Sequence, residues 1–434
     1  MDHMEPPLAD PGPEEPTKGL LARARGHLMD LTPLKVSRDF RRLFIGRSIS
    51  DFGDEVVAVV IPFQVFDLTG STLAVGLLGL AQLVPVFVAP IVGGAVADAL
   101  ERRRLVIITH VLLVGLSLLM AFNASLDEPL VWPLYVFAFI SAALYTFNRP
   151  ALDTWPARLL EPELLPSANA VDWSLGTLDS MAAPIAAGFM LATIGPAGAF
   201  LFDAVTFLAV IAMVSRMKPS PGHDDVEVSW EAIKEGFRFL KGKRNVQSVF
   251  LADLNAMIFG FPVALFPAVA LSFGGEARQE EVLGFLFAAP AAGAFLGTLF
   301  SGRAKHVRYQ GRAILVAITI WGAAIVGFGL SETLWISLVM LAIAGAGDLV
   351  SGLFRSAILQ TAVEDRYRGR LDGIGMAVWA TGPSLGDVES GVVASVTSVP
   401  FSIVSGGVLT IVGVGLLRWF APGFWHYDAR HPVP

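Results

Sequence analysis

Cysteine is absent from this chain of 434 residues, and charged residues make up only 16% of it. Without thiols the protein can form no disulfide, no thiolate metal site and no cysteine nucleophile. The sequence also has no HExxH metal motif and no GxxxxGKS/T phosphate loop, which argues against a metalloenzyme and against ATP-driven transport by this chain. We therefore expect neither a metal nor a cofactor.

Long apolar runs fill most of the chain instead. Hydrophobic residues make up 54% of the sequence, and its charged fraction is well below the roughly 25% that is typical of soluble domains. Because about 20 mainly apolar residues cross a bilayer as a helix, these runs predict an all-α integral membrane protein with twelve transmembrane helices. The predicted spans are 41–66, 71–96, 104–122, 130–153, 168–194, 197–215, 246–272, 281–301, 312–330, 333–361, 372–395 and 399–419.

Lysine and arginine lie on one side of these predicted spans. They precede the first span and follow spans two, four, six, eight and ten, whereas the opposite loops carry mainly acids such as Asp127 and Glu332, with Arg278 as the basic exception. By the positive-inside rule, this distribution predicts that both termini face the cytoplasm. The protein is therefore expected to be multi-pass in the cell membrane, either the inner or the plasma membrane.

A polar interruption divides the spans into two sets of six. The stretch SWEAIKEGFRFLKG spaces Trp230, Ile233, Phe237 and Leu240 at helical intervals, which predicts an amphipathic helix on the cytoplasmic surface. The N-terminal tail is acidic and proline-rich, then basic, and it lacks an apolar signal core with a cleavage site, so we expect it to be disordered. The predicted organisation is a cytoplasmic tail over 1–36, a six-helix bundle over 37–216, a linker over 217–245, a second bundle over 246–420 and a cytoplasmic tail over 421–434.

Two features recur once in each half. The charged hairpin GGAVADALERRR at 93–104 has a weaker copy, LGTLFSGRAKHVRYQGR, at 296–312, in which Gly302 replaces the acid of the first copy. Arg149 and Arg355, near the ends of spans four and ten, are separated by about as many residues as Gly93 and Gly297 of the two hairpins. Six-span parallel repeats place a substrate site between the halves near the middle of the membrane.

The first hairpin resembles the loop 2–3 signature of the major facilitator superfamily. Three further stretches, FRRLFIGRSISDFGDEV, FNRPALDTWPARLLEPELLPSANAV and VEDRYRGRLDGI, resemble the drug:proton antiporter branch of that superfamily, to which the enterobactin exporter and macrolide efflux proteins belong. The likeness covers about 37–420. Departures are Ala99 and Glu101 in the hairpin, and a span-five antiporter signature reduced to Ala183-Pro184 followed by Gly188.

The resemblance implies the major facilitator fold, transport by alternating access, and a monomer as the working unit. It also implies that Asp98 and the neighbouring arginines latch the cytoplasmic ends of the two halves in the outward-facing state. A carboxylate near a helix N-terminus and a base gains charge-assisted hydrogen bonds, which supports such a latch. The predicted gating residues are Gly94, Asp98, Arg102, Arg103 and Arg370.

Several acids lie inside the predicted spans, where a charge costs about 2.5–3.5 kcal/mol on insertion scales. Burial disfavours the ionised form of a carboxyl group, so such an acid can bind a proton on one side and release it on the other. Asp54, Asp179 and Asp51 are the proton-coupling candidates. For Asp51 and Arg47, an ion pair near the water-exposed cytoplasmic end is an equal alternative, and for Asp203 we expect helix capping or pairing.

Other intramembrane polar and aromatic residues are candidates for contacts with a substrate. Aromatic residues in spans more often pack against lipid or neighbouring helices, so that alternative stays open for each of them. The cavity candidates are Arg47, Gln64, Arg149, Asp172, Asn255, Asp348, Arg355 and Trp379.

The sequence thus favours a secondary active transporter rather than an enzyme. We expect proton-coupled efflux of a medium-sized amphipathic compound or a siderophore, with the small molecule, protons and the lipid bilayer as partners and no nucleic acid. Two alternatives are an integral membrane enzyme that acts on lipid-linked substrates and a non-transporting sensor built on a transporter fold.

Overall fold

The structure is a computed structural model that describes residues 30–99, 101–219, 238–298, 302 and 306–433. Within its helices, the side chains of residues 86–99 and 150, and of residues 365, 366, 368–370, 372, 373 and 376, lie outside the described set. The predicted disordered tail and most of the predicted amphipathic helix fall outside it as well. The described part of the chain is helical and contains one isolated β-bridge, between Tyr309 and Asp428.

In the part of the chain that the structure describes, twelve long helical segments follow one another. In the first half they are α1 (Arg38–Thr69), α2 (Thr72–Ala99), α3 (Arg102–Ala124), α4 (Trp132–Thr154), α5 (165–194) and α6 (196–214). In the second half they are α7 (244–274), α8 (276–298), α9 (Gln310–Gly329), α10 (Leu334–Ala362), α11 (Asp365–Val396) and α12 (Val399–Phe420). Short helices at Thr32–Val36, Pro156–Leu159, Pro162–Leu164 and Pro422–Trp425 flank them.

Glycines with positive φ separate two of the helix pairs. Gly195 (φ 67°) divides the continuous segment Leu165–Val214 into α5 and α6, and Gly275 (φ 58°) divides Phe266–Thr298 at the same point of the second half. Only glycine adopts this backbone without strain. In each half, one such glycine turns the chain between the two helices. Within the described residues, six helices are long and apolar enough to cross a membrane, and two of these, Pro162–Val214 and Arg244–Thr298, each contain two of our segments. The expected all-α, twelve-helix architecture is confirmed.

Helix α7 is broken in its middle. It is regular over Arg244–Phe259, ends at Gly260, and resumes after the 3-10 turn Val263–Leu265. Pro262 cannot donate a hydrogen bond to the preceding turn, and the break frees backbone groups that need partners. Asp387 of α11 supplies one, because its Oδ1 accepts a hydrogen bond from the Ala264 amide at 3.0 Å.

The two ends of the bundle differ in charge. We call the end that carries Arg38, Arg102, Arg158, Arg216 and Arg308 the basic end, and the other the acidic end. The two halves meet mainly through two helix pairs, α2 with α11 and α5 with α8. In both pairs, the backbones of the two helices approach each other closely near the acidic end.

Glycines allow those close contacts. A β-carbon placed on Gly79 of α2 would lie 2.4 Å from the Ser384 carbonyl oxygen of α11, and one on Gly284 of α8 would lie 2.6 Å from the Pro184 carbonyl oxygen of α5. Small residues at helix contacts let membrane helices approach in this way. The reduced signature at Ala183-Pro184 and Gly188 therefore lies at the junction of the two halves.

The end of the chain packs onto the second half at the basic end. Phe424 and Tyr427 are buried, and Arg308 donates to Oδ2 of Asp428 at 2.8 Å from Nε. The Ala429 amide donates to the Arg308 carbonyl oxygen at 2.9 Å. The Arg418 guanidinium lies 4.1 Å from the centre of the Trp425 ring, a cation–π contact. The predicted tail 421–434 is thus a folded element in its described part.

Candidate functional site

Arg47 of α1 is the centre of a charged cluster between three helices. Its guanidinium lies 3.4 Å from Asp51 of α1, 3.3 Å from Asp153 of α4 and 3.8 Å from Asp172 of α5. Arg149 extends the cluster, because its Nε donates to Asp153 at 3.1 Å. The side chain of Arg47 is largely buried, whereas the carboxylates around it are about half exposed. Four predicted residues, Arg47, Asp51, Arg149 and Asp172, therefore meet in one place.

A smaller cluster surrounds Arg355 in the second half. Arg355 of α10 forms an ion pair with Asp253 of α7 and lies 3.4 Å from Asp348 of its own helix. Arg355 and Asp253 are both largely buried. In the second half, as in the first, an arginine thus joins the first and fourth helices through carboxylates. That arrangement agrees with the predicted duplication of the polar residues around Arg149 and Arg355.

A third polar group lies midway along the helices of the first half. The hydroxyl of Tyr145 on α4 donates to Oδ1 of Asp54 on α1. Behind them, Asp203 of α6 is 1% exposed, and its Oδ2 accepts a hydrogen bond from Ser117 of α3 at 2.6 Å. The expectation that Asp203 pairs is met by a serine from a different helix, not by a cap.

A cavity of about 260 Å³ lies between the halves. Its polar wall includes Asp348 of α10 and Ser180 of α5, whose hydroxyl donates to the Gly176 carbonyl oxygen at 3.0 Å. The remaining wall is mainly apolar and aromatic. The lining residues are Thr177, Ser180, Phe261, Pro262, Phe266, Pro290, Ala291, Ala294, Trp321, Ile325, Leu341, Ala344, Gly345 and Asp348.

Of the eight predicted cavity residues, Asp348 alone belongs to the described wall of this cavity; four others lie in the two arginine clusters, and the remaining three lie away from both the cavity and the clusters. Gln64 is 3% exposed and packs within the core of the first half. Asn255 donates from Nδ2 to the Thr410 carbonyl oxygen at 2.9 Å and so ties α7 to α12. Trp379 is 59% exposed on α11. Asp179, a proton-coupling candidate, is partly exposed on α5, one residue before the cavity wall at Ser180.

The gating residues are only partly described. The side chains of Gly94, Asp98 and Arg370 lie outside the described set, so the expected latch stays a prediction. Arg102 is buried at the start of α3. Arg103 donates from Nη2 to the Ser215 carbonyl oxygen at 2.8 Å and thereby joins α3 to the end of α6 within the first half.

Sequence reasoning missed the interhelical partners. Asp153 contacts both Arg47 and Arg149, and Ser117 binds a carboxylate 86 residues away in the chain. A polar residue inside an apolar span was the one available signal for each of them. Their pairing required the arrangement of the helices.

The chain is similar to known proteins over most of its length. A family model described as a transmembrane secretion effector matches residues 29–426. The enterobactin exporter EntS of Shigella flexneri is 31% identical over 396 residues, which cover 90% of this chain and 93% of that protein. EntS of Escherichia coli O139:H28 is 31% identical over 397 residues, with 90% and 94% covered.

Solved structures show the same fold at low sequence identity. The nucleoside transporter NupG superposes with a TM-score of 0.71 at 13% identity and covers 89% of this chain and 98% of its own. A bacterial homologue of the lysosomal transporter Spinster, in an inward-facing and unoccupied conformation, gives a TM-score of 0.67 at 16% identity, with 90% and 96% covered. These similarities concern the architecture alone.

Proposed function

The chain belongs to the transmembrane secretion effector family of the major facilitator superfamily, and from that premise we propose that it exports a siderophore-like aromatic compound in exchange for protons. The family and the structural neighbours are transporters, which fits a protein that is not an enzyme. The observation that carries the proposal is the cavity between the halves. It combines an aromatic wall with one carboxylate, Asp348, that is already paired to Arg355.

The chemistry of the cavity suits a compound that is both aromatic and polar. Phe261 is partly exposed and offers a ring surface for stacking, backed by the buried rings of Phe266 and Trp321, and aromatic contacts contribute about 0.5–1.5 kcal/mol beyond burial. The Trp321 indole is held in place because its Nε1 donates to the Gly260 carbonyl oxygen at 2.7 Å. Enterobactin, the compound that EntS is named for exporting, is therefore the first substrate to test.

The size of the cavity bears on how such a compound would bind. Sites for drug-sized ligands enclose about 300–1,000 Å³, and this cavity of about 260 Å³ is slightly smaller. A medium-sized substrate would fill it and extend beyond its walls. We propose the half-exposed carboxylates around Arg47 as the polar groups of the first half that bind this extension.

Direction and coupling belong to the same proposal. The close contacts near the acidic end favour a conformation that is closed there. If the basic end faces the cytoplasm, as the charge bias predicts, a cytoplasmic substrate would enter from that end. Transport against a gradient then requires an ion, and the acids of α1, α5 and α6 are the proposed proton carriers. We propose that a monomer suffices, because the cavity lies within one chain.

Transport by purified protein in proteoliposomes tests the proposal. A pH gradient imposed across the membrane should drive accumulation of enterobactin, and an uncoupler should abolish it. Phe261→Ala removes one ring from the wall and should raise KM about two- to tenfold, given 0.5–1.5 kcal/mol for an aromatic contact. Phe285→Ala is the matched control, since Phe285 is exposed on α8 and is not part of the wall.

The outcome that would reject export is equally specific. The same liposomes should be tested with a panel of fluorescent drugs beside enterobactin. Absence of uncoupler-sensitive accumulation for every compound would favour the sensor alternative. Transport of drugs but not of enterobactin would leave a transporter and reject the siderophore-like substrate.

A further inference from the structure

Asp203 is a buried carboxyl group that the proposed substrate cavity does not use. It lies about 12 Å along α6 from the turn at Gly195, given a rise of 1.5 Å per residue, and so near mid-membrane. One of its oxygens, Oδ2, accepts a hydrogen bond from Ser117. The other, Oδ1, is fully buried and has no hydrogen-bond partner among the described residues. An ionised carboxylate left in that state is costly, which predicts that a proton or a second group completes it.

Helix α1 approaches α6 at this point more closely than a side chain would allow. A β-carbon on Gly53 would lie 2.3 Å from Oγ1 of Thr206 and 3.0 Å from Oδ1 of Asp203. Gly53 is thus required for the contact between the helices. The next residue of α1 is Asp54, so the close approach places the backbone of a second acidic residue beside Asp203, and ionisation of one carboxyl group disfavours ionisation of the other.

Neutral hydroxyl groups flank both acids. Tyr145 donates to Asp54 from α4, and Ser117 donates to Asp203 from α3. Hydroxyl donors stabilise a carboxylate without adding a positive charge that would let both acids ionise. Two carboxyl groups that share a site do not both ionise easily, and one proton between them relieves the repulsion.

We propose that Asp54 and Asp203 form a carboxyl pair that binds one proton between them, and that this pair is the proton site of transport. The inference rests on the proposed proton-coupled export. Binding forms one O–H bond on a carboxyl oxygen of the pair. Release returns that proton to water and leaves two adjacent carboxylates, whose repulsion favours a conformation in which water reaches them.

Access to the pair is one-sided. Asp54 is partly exposed and Tyr145 is 36% exposed, whereas Asp203 is sealed behind them. Asp54 therefore exchanges the proton with water, and Asp203 provides the buried second carboxyl group of the pair.

Other titratable groups surround the pair. Asp51 and Glu55 precede and follow Asp54 on α1, and Asp179 faces Glu55 from α5. His110 lies on α3, two turns from Ser117 toward the basic end, with its ring 5.8 Å from the ring of Phe207 on α6. The charge of Arg47 is engaged by the carboxylates of its own cluster. The test must therefore separate the pair from these neighbours.

Infrared difference spectra between two pH values detect a protonated carboxyl group directly, without any substrate. The protein in lipid nanodiscs should show one such band from the pair. Asp203→Asn and Asp54→Asn should each remove it, because either change breaks the shared site. Ser117→Ala keeps both acids and should move the pH midpoint of the band. Asp127→Asn, in the exposed loop after α3, is the matched control and should leave the band intact.

Transport in proteoliposomes provides the second readout. Asp203→Asn should lower accumulation driven by a pH gradient at least tenfold, with Asp127→Asn at the wild-type level. Thermal unfolding of each variant reports whether it is folded. An unchanged band in folded Asp203→Asn, or full accumulation by it, would overturn the pair. If the wild type transports no compound, the proposed function fails, and the infrared band still decides whether the pair exists.

Discussion

The close contact of α5 with α8 near the acidic end predicts what a single methyl group would do to the conformational equilibrium. A β-carbon on Gly188 would lie 2.5 Å from the Glu280 carbonyl oxygen and 3.2 Å from the Cα of Gly284. Ordinary contacts begin at 3.4 Å, so Gly188→Ala requires the helices to separate by about 0.9 Å. Both obstructing atoms belong to the backbone, so a rotamer change of a side chain cannot relieve the overlap.

The magnitude follows from the cost of overpacking. Extra carbon atoms in a packed contact cost about 1–3 kcal/mol, and here the cost falls only on the conformation in which the acidic end is closed. A difference of 1–3 kcal/mol between two states changes their population ratio about 5- to 150-fold. Gly188→Ala should therefore shift the protein toward the conformation that is open at the acidic end.

Distance measurements between spin labels check this shift. The chain has no cysteine, so Asp127→Cys in the first half and Glu332→Cys in the second provide the only two thiols. Both positions are exposed in loops at the acidic end. In Gly188→Ala, the distribution of distances should gain a longer component.

A glycine on the same helix serves as the control. A β-carbon on Gly176 would meet no atom within 4 Å, so Gly176→Ala adds the same methyl group to α5 without an overlap. Identical distance distributions for the two alanine variants would refute the argument that the contact near Gly188 sets the equilibrium.

Two further predictions concern ion pairs. The pKa of Asp428 lies below its ordinary value because Arg308 donates hydrogen bonds to it. The carboxylate therefore holds the C-terminal tail in place at neutral pH, and this contribution is lost as the pH falls from about 4 through the lowered pKa. Labelling of a thiol placed in the tail should increase over that range, and Asp428→Asn should remove the pH dependence. Arg355→Ala leaves Asp253 buried without its cation and should cost about 3–5 kcal/mol of unfolding free energy in detergent. Arg278→Ala breaks an exposed ion pair and should cost about 0–1 kcal/mol. Equal losses in the two variants would contradict the assigned burial of the Arg355 pair.

The number and order of the helices followed from the sequence because apolar length is a local property. The predicted spans match the observed helices to within a few residues at most ends, for example 399–419 against Val399–Phe420. The longest difference occurs at α11, which begins at Asp365 where the predicted span begins at 372, and the next at α8, which follows the turn at Gly275 where the predicted span begins at 281. A glycine inside an apolar run does not reveal whether its φ is positive, so this turn was not predictable.

The candidate site was predictable as a set of residue types but not as a set of pairs. The spacing of Arg47 and Asp51 on one helical face correctly suggested contact. The contacts of Arg47 with Asp153 and Asp172 join helices that are distant in sequence, and no local pattern encodes them. Gln64 shows the converse case, since a glutamine in a span suggests a cavity and yet lies in the core.

The docked C-terminal tail has a consequence for the order in which the protein is completed. Arg308 and Asp428 are 120 residues apart, and the Phe424 backbone rests against Gly311 at the start of α9. Synthesis proceeds from the N-terminus and domains fold as they emerge, so Arg308 of the second charged hairpin can pair with Asp428 only after all twelve helices have been synthesised. Gly302 stands in that hairpin where the first copy has its acid, and a residue far downstream supplies the carboxylate for Arg308 instead. A nascent chain that stops short of Asp428 would contain all twelve helices but would lack the ion pair between Arg308 and Asp428 at the basic end.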